Sequence, residues 1–344
     1  MNPTMWMRDL PDDKWLRQIV MPGSHDAGVY GTAQVILRTT SLVKREYTVC
    51  QHSDFSKQAT AGSRFFDCRV FFRKLPQAER AGKQLYGKAG QATQKYENTL
   101  GHFAREKVKG AAQPKMGGFG GTLAVIVRDA LEFVLAHPTE FIILRFSHTY
   151  HPTECVHEIK DIIADQRYAN AVFKEQGNLA TRRIGDLRGK VIMVFDEQFN
   201  HHITPTEGIL RFKKYSDGLT NISGLATCGT FSSSLKMSKV HEGAIGAVNK
   251  HLAHPPDPGH LHFVYWQQTG GIIGEKDVFK TTVAAREPGK QWSGGAHANL
   301  ADFAAELKRI YDNNGHRMPA NVVSHDFVTA QTCERIIRLN PDVR

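Results

Sequence analysis

Short, continuously apolar runs alternate along this chain with longer stretches whose apolar residues recur at helical spacing, and few architectures satisfy both patterns. The runs 141–144 (Phe-Ile-Ile-Leu) and 191–194 (Val-Ile-Met-Val) are apolar at every position. A strand with one wet face would alternate polar and apolar residues. These strands must therefore be covered on both faces, as in a parallel sheet flanked by helices. The helical stretches show the complementary one-sided pattern. Leu123, Ile126, Val127, Ala130, Leu131 and Val134 form one stripe, and His137-Pro138 ends it. Ala301, Ala304, Leu307 and Ile310 form another. Strands are expected at 16–21, 65–71, 140–146, 190–195, 261–266 and 321–327. Helices are expected at 123–136, 155–169, 300–313 and near 332–339.

Six or seven βα units in 344 residues suit an α/β fold of the distorted (β/α)8 TIM-barrel type. The reading is a single domain over 1–344, with long rim insertions at 72–120 and 268–298. An open doubly wound sheet is the alternative. No Gly-x-Gly-x-x-Gly follows the first strand and no Walker sequence occurs, which removes its nucleotide-binding versions. Gly117-Gly118-Phe119-Gly120-Gly121 has the look of a phosphate loop but follows no clear strand, so it reads as a flexible connection.

Lys and Arg number 44 against 34 Asp and Glu, a net charge of +10 that favours anionic partners such as a phosphorylated substrate or an anionic membrane surface. The basic residues are scattered, with small clusters at 105–109 and 213–214. No basic run interleaved with aromatics occurs, so nucleic acid is not an expected partner. No apolar run approaches the roughly 18 residues of a membrane-spanning helix, and the first nine residues lack a basic-then-apolar leader pattern. The expected location is cytoplasmic, or exported without a cleaved signal peptide, with peripheral attachment to membranes. The five cysteines contain no Cys-x-x-Cys pair, which points to reduced thiols. His201-His202 and the His148/His151 pair lack zincin spacing, so no metal or other cofactor is expected.

In a closed barrel the C-terminal ends of the strands build the active site. Three such ends carry polar chemistry: Pro22-Gly23-Ser24-His25-Asp26-Ala27-Gly28, the Asp67-Cys68-Arg69 stretch, and Ser324-His325-Asp326-Phe327. Asp67 and Arg69 lie two apart and share one face of their strand. Buried there, they form an ion pair that holds the barrel together or one that works in the chemistry. If the sheet closes, His25, Asp67, Arg69 and Asp326 converge. Together they supply a base, an orienting carboxylate and a cation for phosphate, the parts of phosphoryl transfer without a metal.

The order of these blocks resembles the phosphatidylinositol-specific phospholipase C catalytic (X-type) family, in its bacterial form. Trp15-Leu16-Arg17-Gln18-Ile19-Val20-Met21-Pro22-Gly23-Ser24-His25-Asp26-Ala27 is similar to its opening. The stretch Gly62-Ser63-Arg64-Phe65-Phe66-Asp67-Cys68-Arg69-Val70 is similar to its second block. His137-Pro138-Thr139-Glu140 with the strand after it, Gly185-Asp186-Leu187-Arg188-Gly189-Lys190, and Asn321-Val322-Val323-Ser324-His325-Asp326 follow in family order.

The resemblance implies a distorted βα barrel and a phosphodiesterase. It makes His25 the base for the inositol 2-hydroxyl, Asp326 the carboxylate that orients it, and Arg69 the group that binds phosphate. Asp26 works with a second histidine to protonate the leaving diacylglycerol oxygen, and Asp67 orients its neighbours. His102, in Leu100-Gly101-His102-Phe103, stands as that histidine; the alternative match, Leu85-Tyr86-Gly87-Lys88-Ala89-Gly90, has Ala89 there. Calcium-dependent members carry an acidic ligand where Arg69 stands, so a metal-independent enzyme is implied. Asp196 occupies the head-group position that is basic in bacterial members. Trp266, beside Tyr265, stands either against the head group or in the core. The implied partner is a phosphoinositide-type lipid at an anionic membrane surface. Alternatives are a catalytically weakened barrel that binds phosphoinositide or a protein partner, and a phosphodiesterase of soluble inositol phosphates.

Overall fold

The structure, a computed structural model, describes residues 1–30, 34–37, 45–74, 96–108, 111–149, 151–214, 222–229, 231–253, 259–269 and 277–343. Its strands are β1 (Met21–Ser24), β2 (Gln34–Leu37), β3 (Phe65–Lys74), β4 (Tyr96–Val108), β5 (Ala111–Thr122), β6 (Ile142–Ser147), β7 (Val191–Phe195), β8 (Leu210–Lys214), β9 (Gly224–Cys228), β10 (Leu261–Tyr265) and β11 (Val322–His325). The α-helices are α1 (Phe55–Thr60), α2 (Leu123–Ala136), α3 (Pro152–Ile163), α4 (Ile184–Leu187), α5 (Met237–Ala253), α6 (Val278–Val283), α7 (Ala296–Asn313) and α8 (Ala330–Ile337).

Eight parallel strands, β1, β3 and β6 to β11, close into a barrel, because β1 pairs with β11 on one side and β3 on the other. The closure is short on the β3 side, where only Gly23↔Phe65 and Ser24↔Phe66 are in register. Side chains alternate as strand geometry requires. Phe65, Ile143, Ile192, Leu210, Phe263 and Val322 fill the interior, and Trp6 and Met7 of the N-terminal 3-10 segment and Leu10 just after it join them. Phe66, Leu144 and Met193 face outward and pack with residues of α2 and α3. Val264 and Val323 pack with residues of α5, α7 and α8. The α2 stripe is buried as its spacing predicts, and the Thr122 hydroxyl caps the helix by accepting from the Val125 N–H.

Four expectations need correction. The apolar run 16–21 is not a strand: Leu16–Gln18 form a 3-10 turn, and β1 runs Met21–Ser24 instead. Leu16 and Ile19 are apolar because they pack on the interior cluster, so their run carries no strand signal. The insertion 72–120 is not simply a rim loop. Past the barrel β3 continues and pairs antiparallel with β4, which pairs with β5, which pairs with β2. The glycine stretch 117–121 lies in β5 rather than in a flexible connection. A Cβ on Gly120 would lie 1.9 Å from the Gly28 carbonyl oxygen, so glycine is needed where the ribbon meets the loop after β1. Within 268–298 the chain forms α6 and the start of α7. The Leu85–Gly90 segment that contains Ala89 lies outside the described residues.

All five cysteines are free thiols, as expected. Among the described residues, no helix is long and apolar enough to cross a membrane.

One buried ion pair anchors the N-terminal segment to the barrel. The Arg64 guanidinium meets Glu140 at 2.6 Å, both side chains wholly buried, and also donates to the carbonyls of Thr4, Ala59 and Ser63. Removing one partner of such a pair leaves a stranded charge. Glu140→Ala is expected to cost about 3–5 kcal/mol of stability, read from denaturant unfolding. A variant as stable as the wild type overturns this account of Arg64.

Candidate active site

The end of β1 carries His25, whose N–H donates to the His325 carbonyl at 3.2 Å, so the first and last strands meet at this residue. Asp26 follows in the left-handed region at φ 44°, a conformation aspartate tolerates better than most residues and one that collects at functional sites. Two buried glutamines hold this turn. Gln58 donates to the Ala27 carbonyl at 2.9 Å. Gln51 donates to the His25 carbonyl at 2.8 Å and accepts from the Val328 N–H at 2.9 Å, tying the turn to the loop that carries Asp326.

Five of the sequence-selected residues then form one network, with His102 joined to it from the ribbon. His25 Nδ1 lies 2.8 Å from Asp326 Oδ1. A carboxylate only accepts, so Nδ1 carries the proton and Nε2 presents its lone pair to the barrel mouth. Arg69 Nη2 lies 2.9 Å from that lone pair. Arg69 Nε sits 2.7 Å from Asp26 Oδ1 and 3.3 Å from Asp67 Oδ2. His102 Nδ1 contacts Asp26 Oδ2. The rings of His25 and His102 are edge to face, 6.1 Å between centroids. The ribbon makes this possible. His102 sits on β4 beside a register shift between Thr99 and Gly101, and the ribbon is held by Phe103, whose ring packs tilted on Phe71 at 4.6 Å and on Phe119 at 4.7 Å.

The electrostatics follow from burial and these neighbours. Burial opposes a charge on His25, but Asp26 and Asp326 outweigh it and hold its pKa above the ordinary 6.5. Burial likewise works against an ionised Asp26, yet Arg69, His25 and His102 keep its carboxyl well below the usual range. For Arg69 burial is again outweighed, here by Asp26 and Asp67, so its guanidinium stays charged. The Cys50 thiol, 3.7 Å from Asp26 Oδ2, is pushed well up by burial and then by Asp326 and Asp26. It is a protonated donor to Asp26 and not a nucleophile. His25, Asp26 and Cys50 bring donor atoms within 4.8 Å of one another, but the Arg69 guanidinium already supplies the positive charge among them.

The neighbours of Asp67 escaped the sequence reading. Arg145 Nη1 lies 3.6 Å from Asp67 Oδ1, and the Ser147 hydroxyl lies 3.4 Å from the same oxygen. Both face inward from β6, in register with Asp67 and Arg69. The available signal was an arginine and a serine at alternate positions of an otherwise apolar strand. Arg145 also reaches the Tyr265 hydroxyl, which places that ring inside the barrel.

Trp266, one residue on, is placed differently from a head-group contact. It is fully buried outside the sheet, stacked on Phe303 at 3.8 Å, and its indole N–H donates to the Ala296 carbonyl. Period-two alternation gives the inward position to Tyr265 instead. Asp196 lies at the end of β7, where its carboxylate accepts from the Gln198 N–H at 3.3 Å and the His148 N–H at 3.4 Å.

No protein-family model matches the chain. A stretch of 68 residues, 20% of the chain, is 37% identical to 20% of the 1-phosphatidylinositol phosphodiesterase of Staphylococcus aureus (strain Newman). The matched chain thus spans about a fifth of the length of that curated relative. The solved phosphatidylinositol-specific phospholipase C from Listeria monocytogenes superposes with a TM-score of 0.57 at 14% identity, covering 99% of both chains. The Staphylococcus aureus phosphatidylinositol-specific phospholipase C gives 0.57 at 15% identity, covering 98% of both. The resemblance read from the sequence is borne out in the fold: over nearly its whole length, this chain is built as the bacterial phosphatidylinositol-specific phospholipases C are built.

Proposed function

We propose that the chain is a phosphodiesterase that cleaves phosphatidylinositol-type lipids by attack of the inositol 2-hydroxyl on its own phosphodiester. One observation carries the reading: the lone pair of His25 Nε2, oriented by Asp326, faces the same spot as a charged arginine and an Asp26–His102 pair. His25 takes the hydroxyl proton as the new O–P bond forms. Arg69 moves its Nη2 from the imidazole to the phosphoryl oxygens, its Nε still held by Asp26 and Asp67. His102, kept in place by Asp26, gives a proton to the glycerol oxygen as the old P–O bond breaks. Diacylglycerol leaves and a cyclic inositol phosphate remains. Arg69 meets the need for a cation at the phosphate, so the reaction runs without a metal. Arg145, Tyr265 and Asp196 are the head-group candidates, and the net positive charge suits peripheral attachment to anionic lipid.

The test is vesicles of phosphatidylinositol in the presence of a chelator, with phosphorus NMR of the products. A cyclic phosphodiester released in step with diacylglycerol is the expected result. Turnover only of water-soluble inositol phosphodiesters, or none, overturns the lipid assignment.

A base works when neutral, and the pKa of His25 is raised, so the acidic limb of kcat/KM is expected above pH 6.5. Asp326 is one cause of that rise. Asp326→Asn should move the limb to lower pH while kcat falls about 10,000-fold through loss of the productive tautomer. A limb that stays in place separates Asp326 from the base. The same raised pKa adds to stability: the contribution is full below the unfolded value and is lost as pH climbs through the folded one.

A further inference from the structure

A second cluster of metal-ligating side chains lies outside the barrel wall, away from the phosphodiester site. Cys228 ends β9 and pairs in register with His262 on β10, their side chains on the outward face. His260 precedes the same strand, two residues from His262 and on the same face. The last turn of α5 brings His251 down onto them. One donor atom each from Cys228, His251 and His260 lies within 4.8 Å of the others. His251 Nδ1 is 3.5 Å from His260 Nε2 and 4.0 Å from Cys228 Sγ.

These separations are at the upper limit for hydrogen bonds. They are close to the edges of a zinc tetrahedron, which bond lengths of about 2.0–2.3 Å place at about 3.3–3.6 Å. The ring of His262 stacks on His251 at 4.6 Å, and its Nδ1–H donates to the Pro319 carbonyl at 2.6 Å. His262 is thereby held as a fixed plane against the His251 ring. Arg317 donates to the carbonyls of His251 and Leu252 at the end of α5.

We propose that Cys228, His251 and His260 form a zinc site that fastens the end of α5 to the β9–β10 seam, with water in the fourth position. Binding breaks the Cys228 S–H bond, forms a sulfur–zinc bond and releases one proton to solvent. No electron is transferred. The ion has no part in the phosphodiester chemistry, so this assignment and the proposed function fail independently.

The full chain, stripped with a chelator under reducing conditions, is titrated with Zn2+ against a chromogenic competitor and separately with Co2+. The expected result is one equivalent bound, a sulfur-to-cobalt charge-transfer band in the near ultraviolet, and a melting temperature that rises with Zn2+. Cys228→Ser should abolish the band, and Cys228→Ser or His251→Ala should weaken Zn2+ binding by about 100-fold or more, while Cys50→Ser keeps the band. Absence of the band in the wild-type chain needs no variant to interpret and overturns the proposal. So does zinc uptake that survives Cys228→Ser undiminished, or a band lost only in Cys50→Ser.

Discussion

His25→Ala is expected to lower turnover of phosphatidylinositol by about 100- to 10,000-fold, the range that general acid–base groups supply. With Nδ1 on Asp326, the imidazole of His25 leaves the Nε2 lone pair to act as the proposed base, and alanine offers nothing in its place. The fold should persist, because the turn is held through backbone groups, by Gln51 at the His25 carbonyl and by the pairing of β1 with β11. The measurement is initial rate on phosphatidylinositol vesicles together with a thermal melt. Wild-type rates in a folded variant remove His25 from the chemistry.

Arg69→Lys should cost about 100- to 1,000-fold in kcat, as loss of an anion-stabilising donor does elsewhere, with KM changed far less. Lysine keeps the positive charge that Asp26 and Asp67 require. It cannot reproduce the fork that gives Nε to the two carboxylates and leaves Nη2 2.9 Å from His25 Nε2, where the proposed reaction puts the phosphate. Arg69→Met removes the charge as well. It strands two carboxylates and should destabilise the chain by about 3–5 kcal/mol, visible as a lowered unfolding midpoint. If the lysine variant retains wild-type kcat, charge alone suffices and the fork has no role.

The strand pair Asp67 and Arg69 offers two options by sequence, a structural ion pair and a pair that works in the chemistry, and the geometry shows the ion pair. Arg69 is ion-paired at Nε and points its other nitrogen at His25. Arg145 completes the set, and its register opposite Asp67 is a property of the closed sheet alone. Trp266 shows the converse. Its type suits a head group, but one residue of strand phase turns it into the outer layer and gives Tyr265 the interior.

Local pattern determined those parts of the chain in which one element carries the whole signal. Doubly covered strands must be apolar throughout, and α2 must carry its stripe, so the barrel class and the ends of β1, β3 and β11 were legible from residues close in sequence. Tertiary structure decided everything that depends on partners far apart along the chain. The β3–β4–β5–β2 ribbon, the glycine contact that seats it on the turn at Gly28, and the approach of His102 to Asp26 are antiparallel pairings and close backbone contacts. Polar and glycine-rich strands at a barrel's edge bury little apolar surface of their own. Their sequence therefore carries almost no period, and only the folded neighbours specify where they lie.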